Sequence, residues 1–259
     1  MIKKYNGFIF DLDGTIYRGS KIIDYADKVV NELKKQNKKI LFISNKTTGS
    51  KDQYYDFLKT NGLEVEKNEI ITSTVVIRQY LIKNHKDDKF FAIGEKNFID
   101  ELTNGGLLYS ADPDEIDIVI ITLDRTLSYT KLEIAAKALE KGAKFFAANI
   151  DDTCPVESGE IMDAGSIITA LEKRTRVKLE KHFGKPSEYM MNEVKKNIGI
   201  DISECLIIGD RLETDIALGN IFGVDTALVS TGVTNFINGK YKPTYQINSV
   251  YNLITEELE

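Results

Sequence analysis

Tryptophan is absent from this 259-residue chain, cysteine and histidine occur only twice each, and no apolar run approaches the length of a membrane span. All but the first of these scarcities remove a class of function. Two cysteines offer no disulfide framework. Cys205 sits in the apolar run CLII, where a thiol behaves as a small hydrophobe, and Cys154, just before Pro155, falls in an expected loop as an incidental free thiol. With only His85 and His182, neither a histidine nucleophile nor a histidine-rich metal site is available, and His182 reads as a packed strand residue. The missing tryptophan carries no mechanistic meaning. The opening MIKKYNGFIF enters a strand almost at once, without the apolar stretch of a signal peptide, so the expected compartment is the cytoplasm and no membrane partner is expected. A net charge of −6 and the lack of a long basic cluster argue against nucleic acid as a partner. With 42% hydrophobic and 29% charged residues, the composition suits one large domain or two moderate ones.

What the chain does contain is a recurrence. DLDGT at 11–15, SNK at 44–46, GKP at 184–186 and GDRLETD at 209–215 each directly follow a short β-like apolar run, namely GFIF, KKILFI, KLEKHF and CLII. Helical patterns separate these runs, among them Ala26, Val29, Val30 and Leu33 at i, i+3, i+4, i+7. The spacing predicts parallel strands, and in an open parallel α/β sheet ligands bind outside the carboxyl ends of the strands. Asp11, Asp13, Ser44, Lys185 and Asp210 are therefore expected on one edge, each after its own core strand. Between about 85 and 176 the strand and helix rhythm continues through FFAIG, DIVIITL and KFFAAN without those motifs. The polar stretches KNHKDDK and EKRTRVK flank this segment as crossings into and out of an insertion.

Two carboxylates two positions apart at a strand end can act as nucleophile and as general acid and base on one reacting centre. DxDG also opens EF-hand loops, but loop positions 6 and 12 counted from Asp11 are Ile16 and Ile22, not Gly and Glu. A carboxylate approaching a phosphate monoester faces repulsion of roughly 4 kcal/mol per charge pair at 4 Å with an effective dielectric near 20. That repulsion calls for cations. Asp210 and Asp215 extend an oxygen-only donor set suited to a hard divalent ion such as Mg²⁺. Lys185 supplies a fixed positive charge, and Ser44 with the amides after it can donate to a phosphoryl group.

Asp11-x-Asp13-Gly-Thr, Ser44 after a hydrophobic strand, Lys185 and Asp210-xxxx-Asp215, in that order, resemble the haloacid dehalogenase superfamily and its Mg²⁺-dependent phosphatases. FDLDGTIYRG, FISNKTTGS, GKPS, GDRLETDI and the segment FFAANIDDTCPVESGEIMDAGS are similar to subclass IIA, the 4-nitrophenylphosphatase and NagD- and AraL-like sugar-phosphatase branch. The resemblance implies an α/β fold with a Rossmann-like three-layer core around a parallel sheet, formed by 1–84 and 177–259, and an α/β type II cap inserted at 85–176. It implies that Asp11 attacks phosphorus to form an aspartyl phosphate, and that Asp13 protonates the leaving alkoxide and then deprotonates the hydrolytic water. Mg²⁺ would be held by Asp11, the Asp13 main-chain carbonyl and Asp210, with Asp215 behind them orienting bound water or Lys185. Ser44, Asn45 and Lys185 would hold the phosphoryl oxygens, while Asn149 and Asp151 of the cap would face the leaving group.

The family's TNN reads SNK here, so that Lys46 adds charge near the substrate entrance, and its TNPD reads ANID. Both departures bear on substrate range. The expected partner is a small phosphorylated metabolite, with 4-nitrophenyl phosphate as surrogate, and relatives with this cap commonly pair through it, which adds a homodimer to the expectations. Two alternatives stand beside the phosphatase. A phosphotransferase or mutase is disfavoured because the insertion lies after Ser44 rather than soon after the DxD motif. A non-enzymatic phosphate-binding or phospho-acceptor module is disfavoured by Asp13, a base that would hasten loss of an acyl phosphate.

Overall fold

The computed structural model describes residues 2–156, 159–232 and 240–255. It divides into two compact units, one formed by Met1–Ser44, Lys51–Ile71 and Lys185–Glu259, the other by Asn45–Ser50 and Thr72–Gly184. The second unit is wider than the 85–176 segment delimited by the polar crossings. Contacts of the helix preceding residue 85 and pairing of the strand around residue 181 assign both to it.

In the first unit the elements are β1 (Gly7–Asp11), the short hairpin β2 (Tyr17–Arg18) and β3 (Lys21–Ile22), α1 (Ala26–Lys35), β4 (Lys39–Ser44), α2 (Lys51–Thr60) and β5 (Ile70–Thr72). In the second they are α3 (Ser73–Asn84), β6 (Lys89–Ile93), α4 (Lys96–Asn104), β7 (Leu108–Tyr109), β8 (Ile118–Ile121), α5 (Tyr129–Glu140), β9 (Lys144–Ala147), β10 (Thr153–Val156), β11 (Gly159–Met162), α6 (Ala164–Thr175) and β12 (Lys181–His182). The first unit then resumes with α7 (Glu188–Ile198), β13 (Cys205–Gly209), α8 (Ala217–Phe222), β14 (Asp225–Val229) and β15 (Tyr245–Ile247).

The first unit's sheet runs β15-β14-β13-β1-β4-β5. Parallel pairing joins β1 to β4 and β13, β13 to β14, and β14 to β15. Every residue of β1 is buried, which is why GFIFD reads as a continuous apolar run rather than an alternation. Phe8, Phe10, Phe42, Leu206 and Ile208 pack on Ala26, Val29, Val30 and Leu33, the apolar stripe of α1. The Ser187 hydroxyl caps α7 by accepting from Met190 N at 3.2 Å, and Gly199 ends it in the left-handed conformation.

Successive strands leave β1 in both directions, so β1 is the switch point of the sheet. Asp11 lies opposite Ile43 and Phe10 opposite Ile208. Ser44 and Asp210 therefore stand just past the level of Asp11 on the two flanking strands.

The second unit holds a parallel sheet in the order β12-β9-β8-β6-β7 and the antiparallel hairpin β10–β11. Both sheets are those of an α/β fold with a Rossmann-like core and an inserted α/β cap. Two expectations are corrected. KLEKHF is not a core strand: only Lys181 and His182 pair, and they pair with Phe146 and Ala147 of β9. Cys154 lies in β10, opposite Ile161, rather than in a loop. Among the described residues no helix is long and apolar enough to cross a membrane.

Candidate active site

Asp11 closes β1, and the chain turns immediately. The Gly14 amide donates to Tyr17 O at 2.7 Å, and Gly14 itself sits at φ 94°, a conformation that glycine adopts without strain. Asp13 stands half-buried between them. Ser44, the last residue of β4, is buried.

Asp210 follows β13 directly and begins a second tight turn. Arg211 O accepts from both Asp215 N and Ile216 N, at 3.1 and 3.2 Å, so the first turn of the helix is wide and brings Asp215 back over the strand end. The Asp215 carboxylate then accepts from Arg211 N at 3.1 Å. A Cβ on Gly209 would collide with this carboxylate, so glycine there is a condition of the turn.

Lys185 joins these turns. It is 2% exposed, and its Nζ donates to Asp11 Oδ1 at 2.5 Å and to Asp215 Oδ1 at 2.6 Å. Carboxylate oxygens of Asp11, Asp210 and Asp215, all buried, lie within 4.8 Å of one another. Burial pushes the Asp11 carboxyl well above its usual range; Lys185 opposes that rise, while Asp215 and Asp210 add to it. Burial would depress the Lys185 ammonium, but Asp11 and Asp215 outweigh it and hold the group above its ordinary value.

Three carboxylates against one ammonium leave the cluster short of positive charge. Asp11 Oδ2 is buried and has no hydrogen-bond partner among the described residues. A buried carboxylate oxygen without a donor is costly, and here it belongs to an all-oxygen set. The residues therefore fit a hard divalent cation.

Asn45, Lys46, Asn149 and Asp151 belong to the second unit. There the Asn45 amide donates to Asp151 Oδ2 at 3.0 Å, and the Asn149 amide donates to that same oxygen and to Asp163 Oδ1, both at 3.1 Å. Asp163 Oδ1 also accepts from Ala164 N at 2.6 Å and so caps α6. Lys46 is half-buried. Sequence reading thus drew together Asp11, Lys185, Asp210 and Asp215, and it missed two groups. Asp163 was hidden because nothing local links it to Asn149. The same is true of Thr231 and Gly232, which lie against the Asp11 and Asp210 turns.

Known proteins are similar to this chain in sequence and in fold. A family described as haloacid dehalogenase-like hydrolase matches residues 8–107, and one described as HAD-hydrolase-like matches residues 182–253. The sugar-phosphatase AraL of Bacillus subtilis (strain 168) is 35% identical over 245 residues, covering 94% of this chain and 90% of that protein. The solved p-nitrophenyl phosphatase from Archaeoglobus fulgidus superposes with a TM-score of 0.90 at 32% identity, over 98% of this chain and all (100%) of that one. The glycerol phosphate phosphatase of Mycobacterium tuberculosis, solved in complex with magnesium, superposes with a TM-score of 0.86 at 26% identity, over 97% of this chain and 77% of that one. With its strand-end acids, its buried lysine and these relatives, the chain belongs to subclass IIA of the haloacid dehalogenase superfamily, in the NagD-, 4-nitrophenylphosphatase- and AraL-like branch, and is a phosphoric monoester hydrolase.

Proposed function

We propose that the chain hydrolyses small phosphorylated metabolites, sugar phosphates foremost, through a phosphoryl group carried on Asp11. The observation that supports this most is the asymmetry of Asp11: Oδ1 is held by Lys185 while Oδ2 has no hydrogen-bond partner among the described residues. A carboxylate held at one oxygen keeps its orientation, which readies the group both for a cation and for attack on phosphorus.

An Asp11 carboxylate oxygen forms a bond to phosphorus as the ester P–O bond breaks, and Asp13 gives its proton to the departing alkoxide. Asp13 then takes a proton from water, the water oxygen bonds to phosphorus, and the P–O bond to Asp11 breaks to release inorganic phosphate and restore the carboxylate. Lys185 offsets charge on the transferred group, and Asp215 holds Lys185 in place. Ser44, together with Asn45, donates to phosphoryl oxygens. Mg²⁺, held by Asp11, the Asp13 main-chain carbonyl and Asp210, would supply the remaining positive charge that lets two anions meet.

AraL's activity on sugar phosphates and the nucleotidase named among the relatives frame the substrate class. Lys46, where the family has Asn, favours anionic leaving groups, and Asp151 borders the same segment. Phosphate release from a panel of sugar phosphates, nucleotides and 4-nitrophenyl phosphate, with Mg²⁺ and with chelator, tests the reading. Sugar phosphates should lead the panel, and acid-quenched Asp13→Asn protein should carry phosphate on the peptide containing Asp11. Phosphate release undiminished in Asp11→Asn would remove the assignment.

A further inference from the structure

The turn after β14 has no place in the reading above, yet it lies against the acids. Ser230 N donates to Ile247 O and to Asn248 O, both at 3.2 Å, which fixes the start of the turn on the end of β15. Thr231 Oγ1 then donates to Gly14 O at 2.6 Å, bridging 217 residues of chain. This bond ties the turn after β14 to the turn that carries Asp11 and Asp13.

Asp210 is packed against both turns. A Cβ on Gly14 would stand 2.5 Å from Asp210 Oδ2 and 3.1 Å from Gly232 Cα. A Cβ on Gly232 would run into the Asp210 side chain itself, meeting its Oδ2, Cγ and Cβ. The carboxylate therefore rests against main chain at two glycines, and the Thr231 hydroxyl joins the turns that bear them. Side chains that meet a cation bind it well only when their own orientation is fixed by surrounding groups.

We infer that Thr231 and Gly232 are positioning residues for Asp210: Thr231 clamps the two turns together, and Gly232 leaves the space in which the carboxylate takes its cation-binding orientation. The inference rests on the reading of Asp210 as a cation ligand. Their part is to act through Asp210.

The test is Mg²⁺ binding to substrate-free protein by calorimetry, with metal-free stability measured in parallel. Thr231→Val keeps the shape and removes the donor, and it should weaken Mg²⁺ about 10-fold, with Gly232→Ala costing about 10- to 100-fold. Thr231→Ser, which restores the hydroxyl, should return the affinity close to that of the parent. Folded Thr231→Val protein that binds Mg²⁺ like the parent, even if less stable, would overturn the inference. Should Gly232→Ala fail to fold, the Val and Ser pair decides alone. Asp210→Asn separates the two levels: parental affinity there removes the ligand reading and the inference with it, whereas a loss there beside a parental Thr231→Val removes only the role of the turn.

Discussion

Lys185 and Asp11 are 174 positions apart in the chain, and their side chains meet at 2.5 Å in a buried pair. Lys185 holds one oxygen of the Asp11 carboxylate and so fixes the orientation of the group. Substituting Asp11 by Asn keeps the shape and removes the carboxylate proposed above as nucleophile. Turnover should fall on the order of 10⁴-fold or more, with the circular dichroism of the parent retained; steady-state assays on 4-nitrophenyl phosphate check this.

Lys185→Met should do two things at once. Activity should drop about 10²- to 10³-fold, as expected when one fixed charge is taken from a water-poor site. Metal-free stability should also fall by about 3–5 kcal/mol, because Asp11 and Asp215 lose their shared cation. Urea titrations with and without Mg²⁺ are the measurement, and the loss should shrink when Mg²⁺ is present.

Chelation should end phosphate release, and readdition of Mg²⁺ should restore it. Because the buried acids are under-compensated, Mg²⁺ should also stabilise the folded chain, by about 2.7 kcal/mol at a hundredfold excess over its dissociation constant. Thermal melts across an Mg²⁺ series give the answer, and a melting point indifferent to Mg²⁺ would speak against the cation site.

Asn149 is 2% exposed, with its amide between Asp151 and Asp163. Its removal in Asn149→Ala should cost about 1.5–3 kcal/mol of stability, the range for hydrogen bonds to charged groups. Substrate ranking should move less than stability does. A reordered phosphate-release panel with unchanged denaturation would instead support the expected leaving-group contact of Asn149.

At the far edge of the first unit's sheet, Tyr5 donates to Asp225 at 2.5 Å, and Lys4 reaches the same oxygen at 3.0 Å. The Tyr5 hydrogen bond is the main influence holding the Asp225 carboxyl below its usual range, against partial burial. A depressed carboxyl adds stability above its unfolded value, about 3.9, and loses it as pH falls through the folded value. The parent should therefore exceed Asp225→Asn in stability at neutral pH, and the two should converge as pH drops below about 4. Denaturation midpoints at stepped pH values report this directly.

The acids at positions 11 and 210 were legible because each follows a buried apolar run whose end is marked by glycine and charge. Lys185 was legible as a motif but not as a position: KLEKHF has the length of a core strand, yet its pairing partner is β9 of the other sheet. An apolar run states that a strand is buried and leaves open which sheet buries it. Thr231, Gly232 and Asp163 were invisible for another reason. Each matters only through a residue distant in the chain, Gly14, Asp210 or Asn149, and hydrogen-bonding capacity alone names no partner.

Lys185 is the first residue of the first unit after the insertion, so its alignment with the acids depends on where the chain returns. One residue added or deleted between His182 and Ser187 would slide the ammonium away from Asp11 while leaving both sheets intact. Anyone grafting a foreign insertion onto this scaffold would need to keep the native junction through Gly184, whose own Cβ would collide with Asn45 and the Ala148 carbonyl. That seam is where an exchange of the insertion and a loss of the Lys185–Asp11 contact are separated by a single peptide unit.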